Sequence, residues 1–257
     1  MKVDCDVIIV NYNAGKLLIK AVESLLQLPN VNVIVVDNAS DDSSLSTLDT
    51  ITKSNNITIV KNSKNRGFSA ACNQGIKASS ADLLFFLNPD AKLDITAFLQ
   101  LKSVLESEQN IGMVGGFLQN EDGSEQGGGR RAMPTPWRLF VRATGLHHLG
   151  RWWPNIFYDL HLDKQPLPKE PIDVEAISGA CMLVKRDAIE NVGFWDEGYF
   201  LHVEDLDWCQ RFRLAGYRIL FVPNAPIIHQ KGSCSATRPV WVEWHKHKGM
   251  LRFYRKF

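Results

Sequence analysis

The stretch VIIVNYN at residues 7–13 carries the pattern that decides the fold, a continuous β-branched run that ends in polar side chains. Apolar runs of the same kind begin at residues 31, 57, 83 and 111, with spacings of 24, 26, 26 and 28 residues. Uninterrupted runs of this length are typical of strands that are covered on both faces of a sheet. The predicted strands are Val7–Val10, Val31–Val36, Ile57–Val60, Leu83–Leu87 and Ile111–Val114.

The segments between these strands show helical periodicity. In the first segment, Leu18, Val22 and Leu25 share one stripe, and Pro29 follows its end. The apolar stripe of the fourth segment consists of Ile95, Phe98, Leu101 and Leu105. Strands that alternate with helices predict an α/β fold with a mostly parallel sheet flanked by helices.

Composition places the chain among ordinary soluble globular proteins. It has 257 residues, 45% of them hydrophobic, and its 29 Lys and Arg nearly balance 28 Asp and Glu. A net charge of +1 creates no general attraction for nucleic acid, so we expect no nucleic-acid partner. Five cysteines without a C-x-x-C pair favour reduced thiols, and no apolar run exceeds five residues. The N-terminus is unlike a signal peptide, and we therefore expect a cytoplasmic protein.

The regular spacing stops after about residue 119. Residues 124–172 contain three consecutive glycines and three tryptophans without a clear period, and a loop of that length is usually functional or mobile. The predicted elements that follow are a strand at Val174–Val184, a helix from Arg186, a helix at Glu204–Ala215 and a strand at Tyr217–Val222. Gly216 can end the second helix in the left-handed conformation, and Pro223 is expected to stop the last strand.

Polar side chains follow each of the first four strands at the point where the strand ends. In an open α/β sheet, ligands bind outside the carboxyl ends of the strands, so four such ends predict one binding crevice. Turn chemistry would explain any one of them alone, but it does not explain the coincidence of all four. They are Asn11-Tyr12-Asn13, Asp37-Asn38, Asn65-Arg66-Gly67 and Asn88-Pro89-Asp90.

The expected ligand of this crevice is not a dinucleotide. No G-x-G-x-x-G motif follows the first strand, and no P-loop motif occurs anywhere in the chain. Asp37 could accept a hydrogen bond from a ribose hydroxyl or from a base N–H. Asp90 follows a buried strand and is well placed to hold a hard divalent cation that shares oxygen ligands with substrate phosphates.

A second acidic cluster, made of Glu204, Asp205 and Asp207, opens a predicted helix. The helix dipole favours carboxylates in a first turn, but three acids in four residues exceed what capping requires. A carboxylate there could act as general base on an incoming hydroxyl. His229 follows the last predicted strand, and its spacing alone indicates nothing more than an incidental histidine.

Several of these stretches together resemble the inverting glycosyltransferases of family 2, and most closely their rhamnosyltransferase-like branch. The resemblance runs in order from about residue 7 to residue 237 and implies a GT-A fold, in which a nucleotide-binding α/β sandwich is fused to an acceptor-binding half. The matching stretches are VIIVNYN (7–13), VVDNAS (35–40), NRGFSAACNQGI (65–76), LNPDA (87–91) and residues 193–217 with their Glu204-Asp205 pair.

The resemblance also implies a role for each matching residue. Asp205 is the expected catalytic base, with Glu204 beside it in the same acidic pair. Asp90 and His229, the latter in an H-x-x-G-S context, are the expected ligands of Mg²⁺ or Mn²⁺. The family's metal motif has an acid where this chain has Asn88, which points to lower metal affinity. The expected nucleotide-binding residues are Asn11, Tyr12, Asn13, Asp37, Arg66, Gly67 and Asn88.

By the same resemblance, the chain is expected to transfer a sugar, with rhamnose suggested, from a dTDP- or UDP-linked donor. The acceptor would be a saccharide or a polyprenyl-linked saccharide in cell-surface polysaccharide synthesis. Residues 1–120 would form the nucleotide-sugar-binding half, and residues 121–237 would form the acceptor-binding and catalytic half, continuous with the first. Residues 238–257 would form a basic, aromatic C-terminal tail.

Two other functions stay open at this point. The first is a sugar nucleotidyltransferase, which also uses an α/β sheet, an acid after a strand and a divalent ion. The second is a non-catalytic nucleotide-sugar-binding partner of an active transferase. A glycosyltransferase releases nucleoside diphosphate, whereas a nucleotidyltransferase releases pyrophosphate. Hydrolysis of the donor in the absence of an acceptor tests for a non-catalytic chain.

Two segments have open interpretations. The tail from His245 to Phe257 has five Lys and Arg residues and no acid. It could lie on the inner face of an anionic membrane, making the protein peripheral, or form a helix with a solvated basic face. Residues 124–172 could form a lid over the diphosphate, form a platform for sugar rings, or simply pack together. The side chains concerned are Arg130, Arg131, Trp137, Trp152 and Trp153.

Overall fold

The fold is built on one large sheet whose central strands are buried on both faces. The residues described by the computed structural model are 4–52, 56–153, 156–157, 162–230 and 239–257. Along β1 (Cys5–Asn11), Val7 and Ile9 enter one hydrophobic core, whereas Ile8 and Val10 enter the other. This two-sided burial explains why the run stays apolar until the strand reaches its carboxyl end.

All five predicted strands of the first half are confirmed, as are the helices between them. Ile95 departs from the predicted stripe, because it is the first residue after the Asp94 cap and is 45% exposed. The elements that follow β1 in this half are α1 (Lys16–Leu25), β2 (Val31–Asp37), α2 (Ser44–Thr52), β3 (Ile57–Lys61), α3 (Phe68–Ala78), β4 (Leu83–Leu87), β5 (Ala91–Leu93), α4 (Ile95–Glu106) and β6 (Ile111–Gln119).

The second half differs from the sequence prediction in two strands. The strand predicted at Val174–Val184 is divided into two short strands, because the chain turns between Ser178 and Cys181. The last strand does not stop at Pro223, since a register shift between Val222 and Pro226 accommodates both prolines. The elements are β7 (Arg130–Arg131), α5 (Pro136–Ala143), β8 (Ile172–Asp173), β9 (Ala176–Ile177), β10 (Cys181–Lys185), α6 (Arg186–Val192), α7 (Glu204–Leu214), β11 (Arg218–His229) and α8 (Pro239–Lys256).

The aperiodic segment at 124–172 contains a capped helix that its periodicity did not reveal. Thr135 accepts a hydrogen bond from Arg138 N, and Pro136 is the first residue of α5. Thr followed by Pro is a helix-start signal even when the helix is too short for a clear period. Two 3₁₀ turns follow, at Leu146–Arg151 and Leu162–Lys164.

The two halves of the chain share one sheet, with strand order β3-β2-β1-β4-β10-β6-β11-β5 and with β8 added to β11. The first four strands are parallel, and β10 inserts antiparallel between β4 and β6. Helices α1 and α4 cover one face, and α3 and α7 cover the other. This confirms the α/β class with helices on both faces.

The C-terminal tail is helical from Pro239 to Lys256 and packs on the body through Phe253. Arg252 and Lys256 form ion pairs with Asp196 on the body of the protein. No helix within the described ranges has both the length and the apolarity needed to cross a membrane.

Candidate active site

Asp37 is held in place by a network at the ends of β1 and β2. The two strands are in register so that Asn11 lies opposite Asp37, and Asn11 Nδ2 donates to Asp37 Oδ1 at 2.7 Å. Ser40 donates its hydroxyl to Asp37 Oδ1 at 2.6 Å and its backbone N–H to Oδ2 at 3.1 Å. Asn11 is fully buried, so it lies behind Asp37 and orients that carboxylate.

The neighbouring rim is formed by the residues that end β1 and precede α3. Tyr12 is half-buried and Asn13 is exposed, with its backbone N–H bound to Ser40 Oγ at 3.0 Å. Arg66 has an exposed side chain, and its N–H points to Asn38 Oδ1 at 3.4 Å. This part of the crevice therefore offers an open edge beside the buried Asp37.

Gly67 brings a distant loop against this rim. Its φ is +86°, and a methyl group on it would lie 2.7 Å from the carbonyl oxygen of Phe200. Asn38 Nδ2 donates to Gly67 O at 3.1 Å, which ties the end of β2 to the start of α3. Gly67 is required for the close approach of the loop that carries the acidic pair.

The pairing of β5 with β11 brings Asp90 to His229. Ala91 is the register partner of His229, so Asp90, one residue earlier, lies beside the histidine ring. His229 Nε2 is 3.1 Å from Asp90 Oδ1 and 3.3 Å from Asn88 Nδ2. His229 thus ends the last strand instead of following it, and Gly232 and Ser233 of its sequence context lie outside the described residues.

Gln126 fixes the tautomer of His229. Its amide group donates to His229 O at 3.0 Å and to Asn120 Oδ1 at 3.1 Å, so its Oε1 must accept. His229 Nδ1 lies 2.5 Å from that oxygen and donates to it, so in the neutral ring Nε2 is the acceptor, with Asn88 Nδ2 as a donor at 3.3 Å. Nε2 and Asp90 Oδ1 are then two acceptors at 3.1 Å, a repulsive contact unless a proton or a cation lies between them.

This donor set suits a divalent cation. Asp90 Oδ1 is buried and has no hydrogen-bond partner among the described residues. A metal-bound histidine usually donates its other ring N–H to a second residue, as His229 Nδ1 does to Gln126. Within the described ranges, no three His, Cys, Asp or Glu side chains converge. The remaining ligands would therefore have to come from substrate phosphates and water.

Asp205 begins α7 and contacts two other segments. Its Oδ2 accepts from Gly179 N at 3.2 Å and from Arg131 Nη2, and its Oδ1 accepts from Leu206 N at 2.8 Å. Arg131 Nη2 also donates to Ile177 O at 3.0 Å. Burial disfavours the charged guanidinium, but the Asp205 carboxylate holds the pKa of Arg131 above its ordinary value.

The structure does not support a lid of two free arginines. Arg130 is buried and binds both oxygens of Glu125, and Arg131 is bound to Asp205. Sequence reasoning missed the Arg131–Asp205 pair because it joins residues 74 positions apart. The antiparallel pairing of β7 with β9, which brings Arg131 to this edge, has only two residues on each strand.

The three acids at the start of α7 have different environments. Asp207 is fully buried and paired with Arg211 and Lys256, which gives it a structural role. Glu204 is buried, and desolvation together with the neighbouring Asp205 raises its pKa to about 8. The side chain of Asp205 is 14% exposed, against 1% for Asp207. Asp205 is therefore the acid of the three that a substrate can reach.

The backbone before α7 is strained. His202 and Val203 have φ values of +66° and +73°, and the left-handed conformation is unfavourable for a β-branched residue. Gly249 of α8 packs against this turn, since a methyl group there would lie 3.0 Å from His202 O and 3.1 Å from Val203 Cβ. The C-terminal helix thus holds the turn that aims Asp205.

A chain of contacts joins the predicted site residues. Gly179 lies between Phe68 and Asp205: a methyl group on it would be 3.8 Å from Phe68 Cε1 and 3.5 Å from Asp205 Cβ. The next residue, Ala180, accepts a hydrogen bond from Asn88 N at 3.1 Å. With Asn38 bound to Gly67, the segments that carry Asp37, Asp90 and Asp205 meet at one edge of the sheet.

The raised pKa of Glu204 predicts a pH-dependent stability. Between its ordinary value of 4.5 and about 8, only the unfolded chain loses this proton, so the free energy of unfolding falls as the pH rises. Glu204→Gln should remove that fall and gain stability over the parent, of the order of a few kcal/mol, between pH 5 and pH 8. Urea unfolding across this range measures it, with exposed Glu190→Gln as the control. If the free energy of unfolding changes with pH equally in both variants, the pKa of Glu204 is not raised in the folded protein.

The chain matches known proteins over most of its length. The family model described as glycosyl transferase family 2 matches residues 6–193. The chain is 28% identical over 247 residues to the N-acetylglucosaminyl-diphospho-decaprenol L-rhamnosyltransferase of Mycobacterium tuberculosis, covering 91% of this chain and 78% of that protein. It is 24% identical to the dTDP-rhamnosyl transferase RfbF of Shigella flexneri, covering 96% and 76%.

The architecture also matches a solved glycosyltransferase. The structure of GalNAc-T7 with UDP, GalNAc and Mn²⁺ aligns with a TM-score of 0.66 at 18% identity and covers 89% of this chain. The chain spans 44% of that solved protein. At this identity the likeness shows the fold alone, which is the GT-A type expected from the sequence.

Proposed function

Because the chain belongs to glycosyl transferase family 2 and is a glycosyltransferase, we propose that it inverts the anomeric centre of the sugar that it transfers. The proposed donor is a dTDP- or UDP-linked sugar, with rhamnose favoured by the names of the two relatives. The proposed acceptor is a saccharide, carried on a polyprenyl diphosphate as in the name of the mycobacterial relative. The product would enter a cell-surface glycan.

The observation that carries this proposal is the environment of Asp205. It is the reachable carboxylate of the first turn of α7, and it touches Gly179, next to the residue that binds Asn88 N. In the proposed step, Asp205 takes the proton of the acceptor hydroxyl while that oxygen bonds to the anomeric carbon. The bond from this carbon to the donor diphosphate breaks, and its electron pair leaves with the diphosphate.

A single reachable carboxylate in the first turn of α7 favours inversion. Glu204 is buried with its pKa raised to about 8, and Asp207 is committed to Arg211 and Lys256. Neither is available as a nucleophile for a covalent sugar intermediate. A single displacement leaves the new bond on the opposite face, by the same logic that distinguishes inverting from retaining glycosidases.

The donor would bind across the strand ends. Asp37, oriented by Asn11, would accept from the ribose or the base, and Tyr12, Asn13, Arg66 and Gly67 would line the open edge. Asn88 would lie next to the diphosphate, beside the pair formed by Asp90 and His229. A divalent cation, Mg²⁺ or Mn²⁺, held by Asp90 and His229 would neutralise charge on the departing diphosphate.

Thermal-shift measurements with nucleotide sugars, with and without Mg²⁺ or Mn²⁺, test the proposal. A correct donor at a hundred times its dissociation constant should stabilise the fold by about 2.7 kcal/mol. Product analysis should then find nucleoside diphosphate and a glycoside of inverted configuration. Pyrophosphate release would indicate the nucleotidyltransferase alternative, and a retained configuration would contradict the role of Asp205.

A further inference from the structure

An unusual surface lies in the segment that follows Arg131. We call the described residues 136–153 and 156–157 the aromatic insertion. Most large apolar side chains of a soluble protein are buried, and a dense exposed group marks an interaction site. Trp152 is 73% exposed and is the most open of the group. The exposed apolar side chains of the insertion are Trp137, Leu139, Phe140, Leu149, Trp152, Trp153 and Ile156.

The rings of the insertion support one another. Trp137 stacks on Phe140 with ring centroids 5.6 Å apart, and its Nε1 donates to Ile156 O at 2.8 Å. Trp153 meets Phe157 edge to face with centroids 6.5 Å apart. The exposed apolar area therefore belongs to one preformed surface, and its formation on binding costs little conformational entropy.

The charged residues within this stretch of sequence are all basic. Residues 126–158 contain no Asp or Glu and five arginines. Arg130, Arg131 and Arg138 are paired with Glu125, Asp205 and Glu175, which are acids outside this stretch. Arg151 is exposed beside Trp152. Aromatic side chains combined with arginines and no acid are suited to the headgroup region of an anionic bilayer.

The insertion is also close to the candidate catalytic base. Arg131 touches Asp205, and Trp137 follows it by six residues. Six residues of fully extended chain span at most about 20 Å, so the aromatic surface cannot lie far from the carboxylate. A saccharide on a polyprenyl carrier would extend from the bilayer over a comparable distance.

The C-terminal tail is anchored to the body of the protein. Two of its five bases, Arg252 and Lys256, are committed to Asp196, and Lys256 also binds Asp207. Tyr254 donates its hydroxyl to Pro134 O, which fixes the helix against the segment that leads into the insertion. The helix thus supports the insertion from the side of the protein body.

We propose that the aromatic insertion docks on the surface of an anionic phospholipid bilayer and holds the active site over a membrane-anchored acceptor. The docking itself requires no transfer activity, whereas the delivery of the acceptor rests on the proposed function. The indole and phenyl rings enter the headgroup region, and Arg151 lies against the lipid phosphates.

Vesicle co-sedimentation of the full chain tests this proposal. The two probes are vesicles of phosphatidylcholine alone and vesicles of phosphatidylcholine mixed with phosphatidylglycerol. The protein should bind the anionic vesicles more tightly, and added salt should weaken the binding because it screens the headgroup charge. Phe140→Ser combined with Trp152→Ser should lower the partition coefficient about tenfold or more. Arg151→Glu, at an exposed position, should weaken binding to the anionic vesicles selectively.

The controls are Leu214→Ser, which is 68% exposed on α7, and Trp244→Ser, which is 58% exposed on the tail. Both should bind as the parent does, and melting curves of all variants verify folding. Absence of parent binding, or undiminished binding of the insertion variants, would overturn the proposal. Loss of binding in Trp244→Ser alone would assign the membrane contact to the tail. If the protein does not bind vesicles but forms a dimer that the insertion variants disrupt, the surface instead binds a second copy of the chain. The assay contains no donor or acceptor, so its result is independent of whether transfer is detected.

Discussion

Asp205→Asn is expected to lower kcat by about a hundredfold to ten-thousandfold while donor affinity changes little. Asn has the shape of Asp and can still accept a hydrogen bond from Gly179 N, but it cannot take a proton from the acceptor hydroxyl. Asp37, which is proposed to hold the nucleoside, lies on another segment of the site. Steady-state rates at saturating substrates and donor titration by calorimetry measure the two quantities separately.

Asp207→Asn provides a matched control in the same helical turn. Asp207 is buried and binds Arg211 Nε at 2.7 Å and Lys256 Nζ at 2.6 Å, so its loss deprives two partly exposed cations of a shared carboxylate. That change should cost about 1–3 kcal/mol of stability, with kcat per folded molecule kept within a few-fold. If Asp205→Asn also keeps turnover within a few-fold, Asp205 is not the base.

The Arg131 pair adds a requirement to the action of Asp205. In the free protein, Asp205 Oδ2 accepts from Arg131, so this oxygen must exchange a partner before it can take a proton from an acceptor. Arg131 comes from β7, next to the aromatic insertion, and it links that surface to the base. An acceptor that enters past the insertion would meet Arg131 before it meets the carboxylate.

The strand ends of this site could be predicted from sequence, because parallel strands place their carboxyl ends at one edge. The position of Asn11 opposite Asp37 follows from that rule and from the register of β1 and β2. The role of Asn11 could not be predicted, since the same side chain could face a ligand or a neighbouring carboxylate. Its hydrogen bond to Asp37 Oδ1 supports the second.

The other half of the site depends on long-range pairings that periodicity does not encode. His229 was predicted to lie beyond a strand that ended at Val222, yet β11 continues through a bulge at two prolines and ends at His229. Arg131 was predicted in a loop, but a two-residue pairing with β9 fixes it. In both cases a few backbone hydrogen bonds between distant segments decide where the functional side chain lies.

Asp90→Asn is expected to abolish the stabilisation by Mn²⁺ in the presence of nucleoside diphosphate and to lower kcat about a hundredfold or more. The carboxylate oxygen that faces His229 Nε2 has no hydrogen-bond partner among the described residues. In the variant, the amide nitrogen of Asn can donate to Nε2 and replace a repulsive contact with a hydrogen bond. The metal-free variant should therefore be as stable as the parent or more stable, by about 0.5–1.5 kcal/mol.

A variant that loses activity but keeps or gains stability indicates that the acid is a metal ligand, because the loss of a structural acid lowers stability. Asp94→Asn is the matched control: Asp94 caps α4 by accepting from Ala97 N at 2.8 Å, and it lies four residues from Asp90. Asn is also a good cap, so this variant should keep the Mn²⁺ response with little loss of stability. Melting curves with and without Mn²⁺ and a chelator make the comparison. A Mn²⁺ response that persists in Asp90→Asn would remove Asp90 from the metal site, because the remaining His229 Nε2 would then suffice.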